Sequence, residues 1–286
     1  MKLTKDQRIV IVGLGLLGGS YAEALTGQGF RVDAITRSQS SVDFALQKGI
    51  VASATTEIDP ELLGQADLVV FALYPHVLLE WLEAHQALLK PGAVLTDVTG
   101  VKGCIVGRVQ ALLRPDVEFI AAHPMAGREV CGVENSTQAM FRGANYLVVP
   151  TEKNTPEAIE LCRSLGETLG FARVSELSVE AHDEMIAFLS QLTHCIAVAL
   201  MCCNNTPDLE AYTGDSFRDL TRIARINDEM WSELFLDNRE ALLREMEQFR
   251  GAFDELYERI QRGDREGLRA MMRLSTERRK RFDKQV

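Results

Sequence analysis

No CxxC pair, no basic run of the length that usually marks nucleic-acid binding and no charged-then-apolar leader occurs in these 286 residues. Each absence closes off a class of function. Six cysteines are present, Cys104, Cys131, Cys162, Cys195, Cys202 and Cys203, but without metal-ligand spacing, so neither zinc nor another metal is expected. They read as reduced thiols, two or three of them buried on helices as small hydrophobes. Acids outnumber bases, 41 Asp and Glu against 31 Lys and Arg, for a net charge of −10 that repels a phosphate backbone. Nucleic acid is therefore an unexpected partner. The polar start from Met1 to Arg8 runs straight into apolar residues, and no stretch reads as the twenty apolar residues of a membrane span, so a cytoplasmic protein is expected. There is also no internal repeat and no low-complexity segment.

What the sequence does have is alternation. Residues 8–12, Arg-Ile-Val-Ile-Val, form a short apolar run that stops at Gly13, as a strand buried on both faces would. Similar runs follow at Val32 to Ile35, Leu68 to Leu73, Val94 to Thr96, Phe119 to Ala122 and Tyr146 to Val149. Stretches of helical period separate them, among them Val77 to Leu89 and Pro156 to Leu169. Strands alternating with helices predict parallel βαβ units and a doubly wound sheet. Beyond Ser175 the strand signals stop, and long helices are expected over Val179 to Cys203, Ser216 to Ala224, Glu229 to Gly263 and Gly267 to Phe282. The expected division is thus an α/β Rossmann-type domain over 1–175 and an all-α domain over 176–286.

The first turn carries Gly13-Leu14-Gly15-Leu16-Leu17-Gly18 between strand and helix, the place a dinucleotide fingerprint must occupy. Gly13 permits the tight turn, Gly15 lets the backbone approach a pyrophosphate, and Gly18 lets helix and strand pack closely. Leu16 and Leu17 open the helix whose N-terminus faces the anion. The plain alternative is a glycine-rich turn without a ligand. The second strand ends in Thr36, Arg37 and Ser38 without the acid that binds a ribose 2′-hydroxyl, and Asp33 lies in a different register. Hydroxyls and a guanidinium suit a 2′-phosphate, so NADP is expected ahead of NAD, unless Arg37 is only a solvated loop residue.

His123 follows the run Phe119 to Ala122 and so stands at a strand's carboxyl end, where open sheets place substrates, although a lone loop histidine is often a polar surface residue. On the first helix of the second half, at 100° per residue, Asp183, Ser190 and His194 fall within about 40° of one another as a polar stripe. The alternative is a core histidine satisfied by Ser190. Arg218, Arg222 and Arg225 share a face of the next helix, where they would either meet an anion or be neutralised by Asp215 and Asp219.

Taken in order, the glycine loop with Gly19-Ser20, the Asp97 to Lys102 segment, His123-Pro-Met-Ala-Gly-Arg-Glu129, His182-Asp183, Ser190-Gln-Leu-Thr-His194, Phe217-Arg-Asp-Leu-Thr-Arg-Ile-Ala224 and Trp231 resemble the prephenate/arogenate dehydrogenase family over almost the whole chain. The resemblance implies oxidative decarboxylation of a cyclohexadienol dicarboxylate with hydride transfer to NAD(P), in tyrosine biosynthesis. It implies that His123 takes the C4 hydroxyl proton, that His194 helps hold the substrate and that Arg222 binds a carboxylate. Glu129 and Asp183 would organise Arg222, Ser190 would line the substrate and Trp231 would wall the pocket. A homodimer through the C-terminal helices is implied as well. Two positions depart from the family pattern. Gly100 stands where many members have a serine, so that either Thr99 supplies the replacement hydroxyl or the enzyme works without one, and Thr193 stands where a proline is common, so that helix should be mildly straighter. Two other readings would use the same plan. A β-hydroxyacid dehydrogenase or reductase should carry a lysine where His194 stands, and a catalytically silent NADP sensor would bind cofactor without turnover.

Overall fold

The computed structural model describes residues 2–283, so Met1 and residues 284–286, at the outer ends of the two expected domains, lie outside the described residues. In chain order the strands are β1 (Ile9–Val12), β2 (Val32–Ile35), β3 (Ser53–Thr55), β4 (Leu68–Phe71), β5 (Val94–Asp97), β6 (Glu118–Phe119), β7 (Ala121–Met125), β8 (Asn145–Val149) and β9 (Arg173–Glu176). The helices are α1 (Leu16–Gly27), α2 (Gln39–Lys48), α3 (Pro60–Leu63), α4 (Pro75–His85), α5 (Val106–Leu112), α6 (Pro156–Thr168), α7 (Val179–Ile186), α8 (Leu192–Cys202), α9 (Asp215–Thr221), α10 (Asp228–Asp237), α11 (Arg239–Gln261) and α12 (Arg265–Arg279). Strands β1 to β6 form one parallel sheet in the order β3-β2-β1-β4-β5-β6. That order reverses at β1, where an open sheet makes its ligand crevice.

Successive residues of β1 point to opposite faces, and both faces are covered. Ile9 and Ile11 join Tyr21, Leu25, Phe141 and Tyr146 in one core, while Val10 and Val12 join Phe71, Leu78, Leu82 and Leu95 in another. Two buried faces explain why the strand reads as an unbroken apolar run. At about 25 cal/mol per Å² of apolar surface removed from water, these two layers supply most of the favourable free energy of this half.

Three expectations are corrected here. The run from Phe119 to Ala122 is not one strand, because the chain changes sheets at Ile120. Its amide still donates to Leu95 O at 2.9 Å, after which β7 pairs antiparallel with β8, and β9 pairs parallel with β8. His123 therefore lies inside an edge strand opposite Leu147 rather than in a loop. Pro124 fits there because an edge strand tolerates a missing donor. The long helix expected from Glu229 is interrupted between α10 and α11 at Asn238, which is buried and whose side chain donates to Asp183 O and Gln191 Oε1. Of the cysteines, Cys162 is buried and Cys104 and Cys195 are half-buried, but Cys131, Cys202 and Cys203 are exposed, and all six are free thiols.

The apolar content of the helical half was also understated. Val179–Cys202 is long and apolar enough to cross a membrane by length and composition, its most apolar 18 residues having a mean hydropathy of 1.9 and only 28% of them being buried. A single such helix is equally what an unpaired packing face produces.

By compactness the chain resolves into two units, through Asn238 and from Arg239 onward. The first contains both sheets and α1 to α10. The second is a hairpin of α11 and α12 turned at Gly263, whose φ of 66° suits a residue without Cβ. Along α11, Leu243, Met246, Phe249, Phe253, Tyr257 and Ile260 are all exposed.

Candidate active site

The cofactor end is set by how tightly β1, α1 and β4 pack. Gly13 has φ of 102°, and a Cβ there would run into Ala72 O, while a Cβ on Gly18 would collide with Gly13 O. Any larger residue at either position would force helix and strand apart. Gly15 differs, since nothing lies within 4 Å of where its Cβ would be. It is the N-cap of α1 and offers no side-chain cap, so the first amides of the helix, at Leu16 and Leu17, are not capped by a side chain. An open cradle beside uncapped N–H groups fits a pyrophosphate.

At the end of β2, Thr36 donates its amide to Thr55 O, and Arg37 is exposed with no partner among the described residues. Ser38 is already engaged, because its Oγ caps α2 by accepting from Ser41 N and lies 2.8 Å from Ser40 Oγ. Asp33 accepts from Arg31 at 3.3 Å and from Ser53 at 2.8 Å within the sheet, so it does not stand at the strand end.

The chemical end is built on a buried ion pair. Lys102 Nζ donates to Asp97 Oδ2 at 2.5 Å, to Ala122 O at 2.6 Å and to Thr99 Oγ1 at 3.1 Å, with both charged side chains wholly inaccessible. Asp97, the last residue of β5, also accepts the amides of Thr99 and Ala122. A charge taken out of water persists only when its remaining hydrogen-bonding sites are satisfied. That requirement corrects the expectation for Thr99. Its hydroxyl is committed to Asp97, Val101 O and Lys102 rather than facing a substrate. At Gly100 an added Cβ would meet only the Leu234 methyls at 3.6 Å.

Above this pair stands a line of three side chains. His123 Nδ1 lies 3.0 Å from His182 Nε2, and His182 Nδ1 lies 2.7 Å from Asp183 Oδ1. The Asp183 carboxylate accepts the amides of Lys102 at 2.9 Å and Gly103 at 2.7 Å. Burial, then the positive charges that His182 and Lys102 would present, hold His123 well below the ordinary imidazole range. Burial likewise lowers His182, against the pull of Asp183. Asp183 is thus not part of an acidic group around Arg222, as expected, but an anchor beneath two histidines.

The predicted stripe of Asp183, Ser190 and His194 fails for an identifiable reason. A π turn at Ala187–Gln191 separates α7 from α8 and rotates everything beyond it by about 100°, one residue of helical phase. It forms without proline, and the Thr193 hydroxyl donates to Ser190 O at 2.6 Å. Gln191 braces the turn by donating to Leu234 O at 2.7 Å. Past it, His194 donates Nδ1–H to Ser190 O at 2.9 Å, so Ser190 contributes its carbonyl. Trp231 stacks on that imidazole. Burial lowers the pKa of His194, Glu129 raises it and Arg222 lowers it.

Arg222 Nη1 donates to Glu129 Oε1, which joins the segment after β7 to the helical half; the two side chains are 65% and 41% exposed. The expected arginine face does not form. The α-helix ends at Thr221 and a 3-10 turn carries Arg222, while Arg218 pairs with Asp215 at 3.1 Å. Sequence reasoning gave no role to His182, Lys102 or Asp97. The available signal was an acid ending a buried strand with a lysine five residues on, and the His182-Asp183 dipeptide.

The family described as prephenate dehydrogenase, nucleotide-binding domain, matches residues 21–175, and that described as prephenate dehydrogenase, dimerization domain, matches residues 178–274. The chain is 26% identical to a prephenate dehydrogenase of Bacillus subtilis over 275 residues, covering 94% of this chain and 74% of that protein. It is 28% identical to a cyclohexadienyl dehydrogenase of Zymomonas mobilis, covering 86% of each. Among solved structures, prephenate dehydrogenase from A. aeolicus in complex with hydroxyphenyl propionate and NAD+ superposes with a TM-score of 0.90 at 30% identity, covering 99% of this chain and 100% of that one. Arogenate dehydrogenase of Synechocystis superposes with a TM-score of 0.83 at 27% identity, covering 97% and 100%.

Proposed function

The chain belongs to the prephenate dehydrogenase family, and from that premise we propose how its own residues carry the family's reaction. It is a nicotinamide-dependent dehydrogenase of tyrosine biosynthesis, oxidatively decarboxylating prephenate to 4-hydroxyphenylpyruvate or arogenate to tyrosine. The observation that carries the assignment of parts is the open cradle at Gly15 with neutral His123 at the other end of the same unit.

When bound, the nicotinamide accepts the hydride from C4. Everything else falls to the chain. Gly13, Gly15 and Gly18 shape the pyrophosphate turn, and the amides of Leu16 and Leu17 face its charge. Thr36 and Arg37, with Ser38 beside them, receive a ribose 2′-phosphate, and NADP is therefore the preferred cofactor. His123 takes the C4 hydroxyl proton as the carbonyl forms, and burial keeps it in the unprotonated state that a general base needs at neutral pH. His194, steadied by Ser190 and Trp231, holds the substrate. Arg222 turns from Glu129 to a substrate carboxylate, which its planar fork can bind in two bonds. Departure of the ring carboxylate as CO2 then leaves an aromatic ring, which makes the step effectively irreversible.

The division is placed at Ser175, with the nucleotide site and His123 on 1–175 and His194, Arg222 and the subunit contacts on 176–286. The exposed apolar residues of the Val179–Cys202 helix and of α11 are the surfaces a second copy covers, giving a homodimer. A cytoplasmic location accords with the biosynthetic reaction. The test is an assay of the purified chain with prephenate and arogenate, each with NAD and NADP, following reduced nicotinamide. Turnover of one substrate with kcat/KM about tenfold higher for NADP is expected. No turnover of either substrate would end the assignment, and a comparable advantage for NAD would reverse the cofactor preference.

A further inference from the structure

His182 is wholly buried and cannot touch a substrate, yet it occupies the middle of the line joining Asp183 to His123. Its effect on chemistry must pass through His123. The hydrogen-bond roles along that line follow one from another. Backbone amides only donate, so the bonds from Lys102 N and Gly103 N make both Asp183 oxygens acceptors. The atom facing Asp183 Oδ1 at 2.7 Å is His182 Nδ1, which must then carry a proton. His182 is held neutral by burial, so its Nε2 bears only a lone pair. That lone pair lies 3.0 Å from His123 Nδ1, which becomes the donor. A neutral His123 protonated at Nδ1 has an unprotonated Nε2.

We propose that His182 is a positioning residue that fixes His123 in its Nδ1–H tautomer, with Asp183 as anchor, so that the His123 Nε2 lone pair is always free to receive the substrate's hydroxyl proton. This rests on the reading of His123 as the base. In the step it serves, the substrate O–H bond breaks and an N–H bond forms at His123 Nε2. The O–H electron pair becomes the second bond of the new carbonyl as hydride departs from C4 with its own pair. The substrate loses two electrons and the nicotinamide gains them. Without an acceptor at Nδ1, neutral imidazole is free to place its proton on Nε2, and a ring in that form cannot act as base at that atom.

Long-range proton–nitrogen spectra of the full chain read the tautomer directly. In the wild type His123 should carry its proton on Nδ1 with Nε2 bare. His182→Leu should move the proton to Nε2 and lower kcat by about 100-fold, with KM for substrate and cofactor changed less than about twofold. His182→Gln should restore most of the rate, since its amide oxygen can accept from His123 Nδ1. A wild-type His123 protonated at Nε2, or a His182→Leu variant that keeps both tautomer and rate, overturns the proposal. If His182→Leu does not fold, the wild-type spectrum and the glutamine variant decide it. Because the tautomer is read without substrate, a chain with the expected spectrum that turns over neither prephenate nor arogenate would sink the assigned reaction and leave the relay standing.

Discussion

The imidazole of His194 and the indole of Trp231 lie face to face, ring centroids 3.7 Å apart and planes 29° from parallel. Trp231 comes from α10 and His194 from α8, so the stack fixes the imidazole with a side chain from a second helix. With Nδ1–H donated to Ser190 O, His194 Nε2 is the atom left to meet a substrate. Trp231→Ala should raise substrate KM about 2- to 10-fold, the range of an aromatic pair worth about 0.5–1.5 kcal/mol, while Trp231→Phe stays near wild type. Steady-state kinetics on the two variants separate them. A Trp231→Ala enzyme with unchanged KM would remove the stack from substrate binding.

For His123, replacement by Asn keeps a polar side chain but no base. The expected result is a kcat lower by roughly 100-fold or more with KM little altered, the scale of lost general-base catalysis. A defect confined to KM would reassign His123 to binding.

Arg222 and Glu129 make a pair exposed at both ends, and exposed pairs contribute about 0–1 kcal/mol to stability. Arg222→Ala should therefore leave the urea midpoint close to wild type. Its substrate KM should nevertheless rise by an order of magnitude or more, because a carboxylate loses its two-bond partner. Unfolding and kinetics on the same preparation test both halves, and an unchanged KM would take Arg222 out of the carboxylate site.

The parts legible in the sequence were those whose signal is local. The glycine loop is contiguous, and β1, β2 and β4 announce themselves because both faces of the sheet are buried, so every residue but Asp33 is apolar. β3 and β9 were not visible, since Ser53–Thr55 and Arg173–Glu176 are short, polar and only partly covered. The π turn escaped because a 100° period assumes that each bond spans four residues, and bonds spanning five moved Asp183 off the His194 face. His182 and Lys102 were missed for a different reason. Their partners are supplied by tertiary folding, as when Asp183 accepts amides from residues about eighty positions earlier in the chain, and no periodicity records that.

The histidines also set a pH dependence. His123, His182 and His194 all have pKa values below the ordinary value of about 6.5 when folded. Between that value and their lower folded pKa values, the unfolded chain binds protons the native chain does not. Stability is then intact above about pH 6.5 and falls as pH drops below it, by about 1.4 kcal/mol per pH unit for each such histidine. Urea unfolding across this range should give a steeper fall in the wild type than in His194→Asn. Equal slopes would mean that His194 titrates alike in both states.

The Lys102–Asp97 pair allows the most discriminating test, because its two members fail differently alone and together. Both are fully buried, and Asp97 also holds the amides of Thr99 and Ala122, next to His123. Lys102→Met leaves an unpaired carboxylate in the core, which should cost about 3–5 kcal/mol in urea unfolding. Adding Asp97→Asn removes that charge while keeping an acceptor for the amides, so the double variant should recover much of the loss. Lys102 also lowers the pKa of His123 through like charge. Its removal favours the imidazolium, raises that pKa and moves the acid limb of kcat/KM to higher pH. A structural role alone predicts lost stability with the limb in place, whereas a shift of the limb measured on the folded fraction ties the buried pair to the chemistry above it.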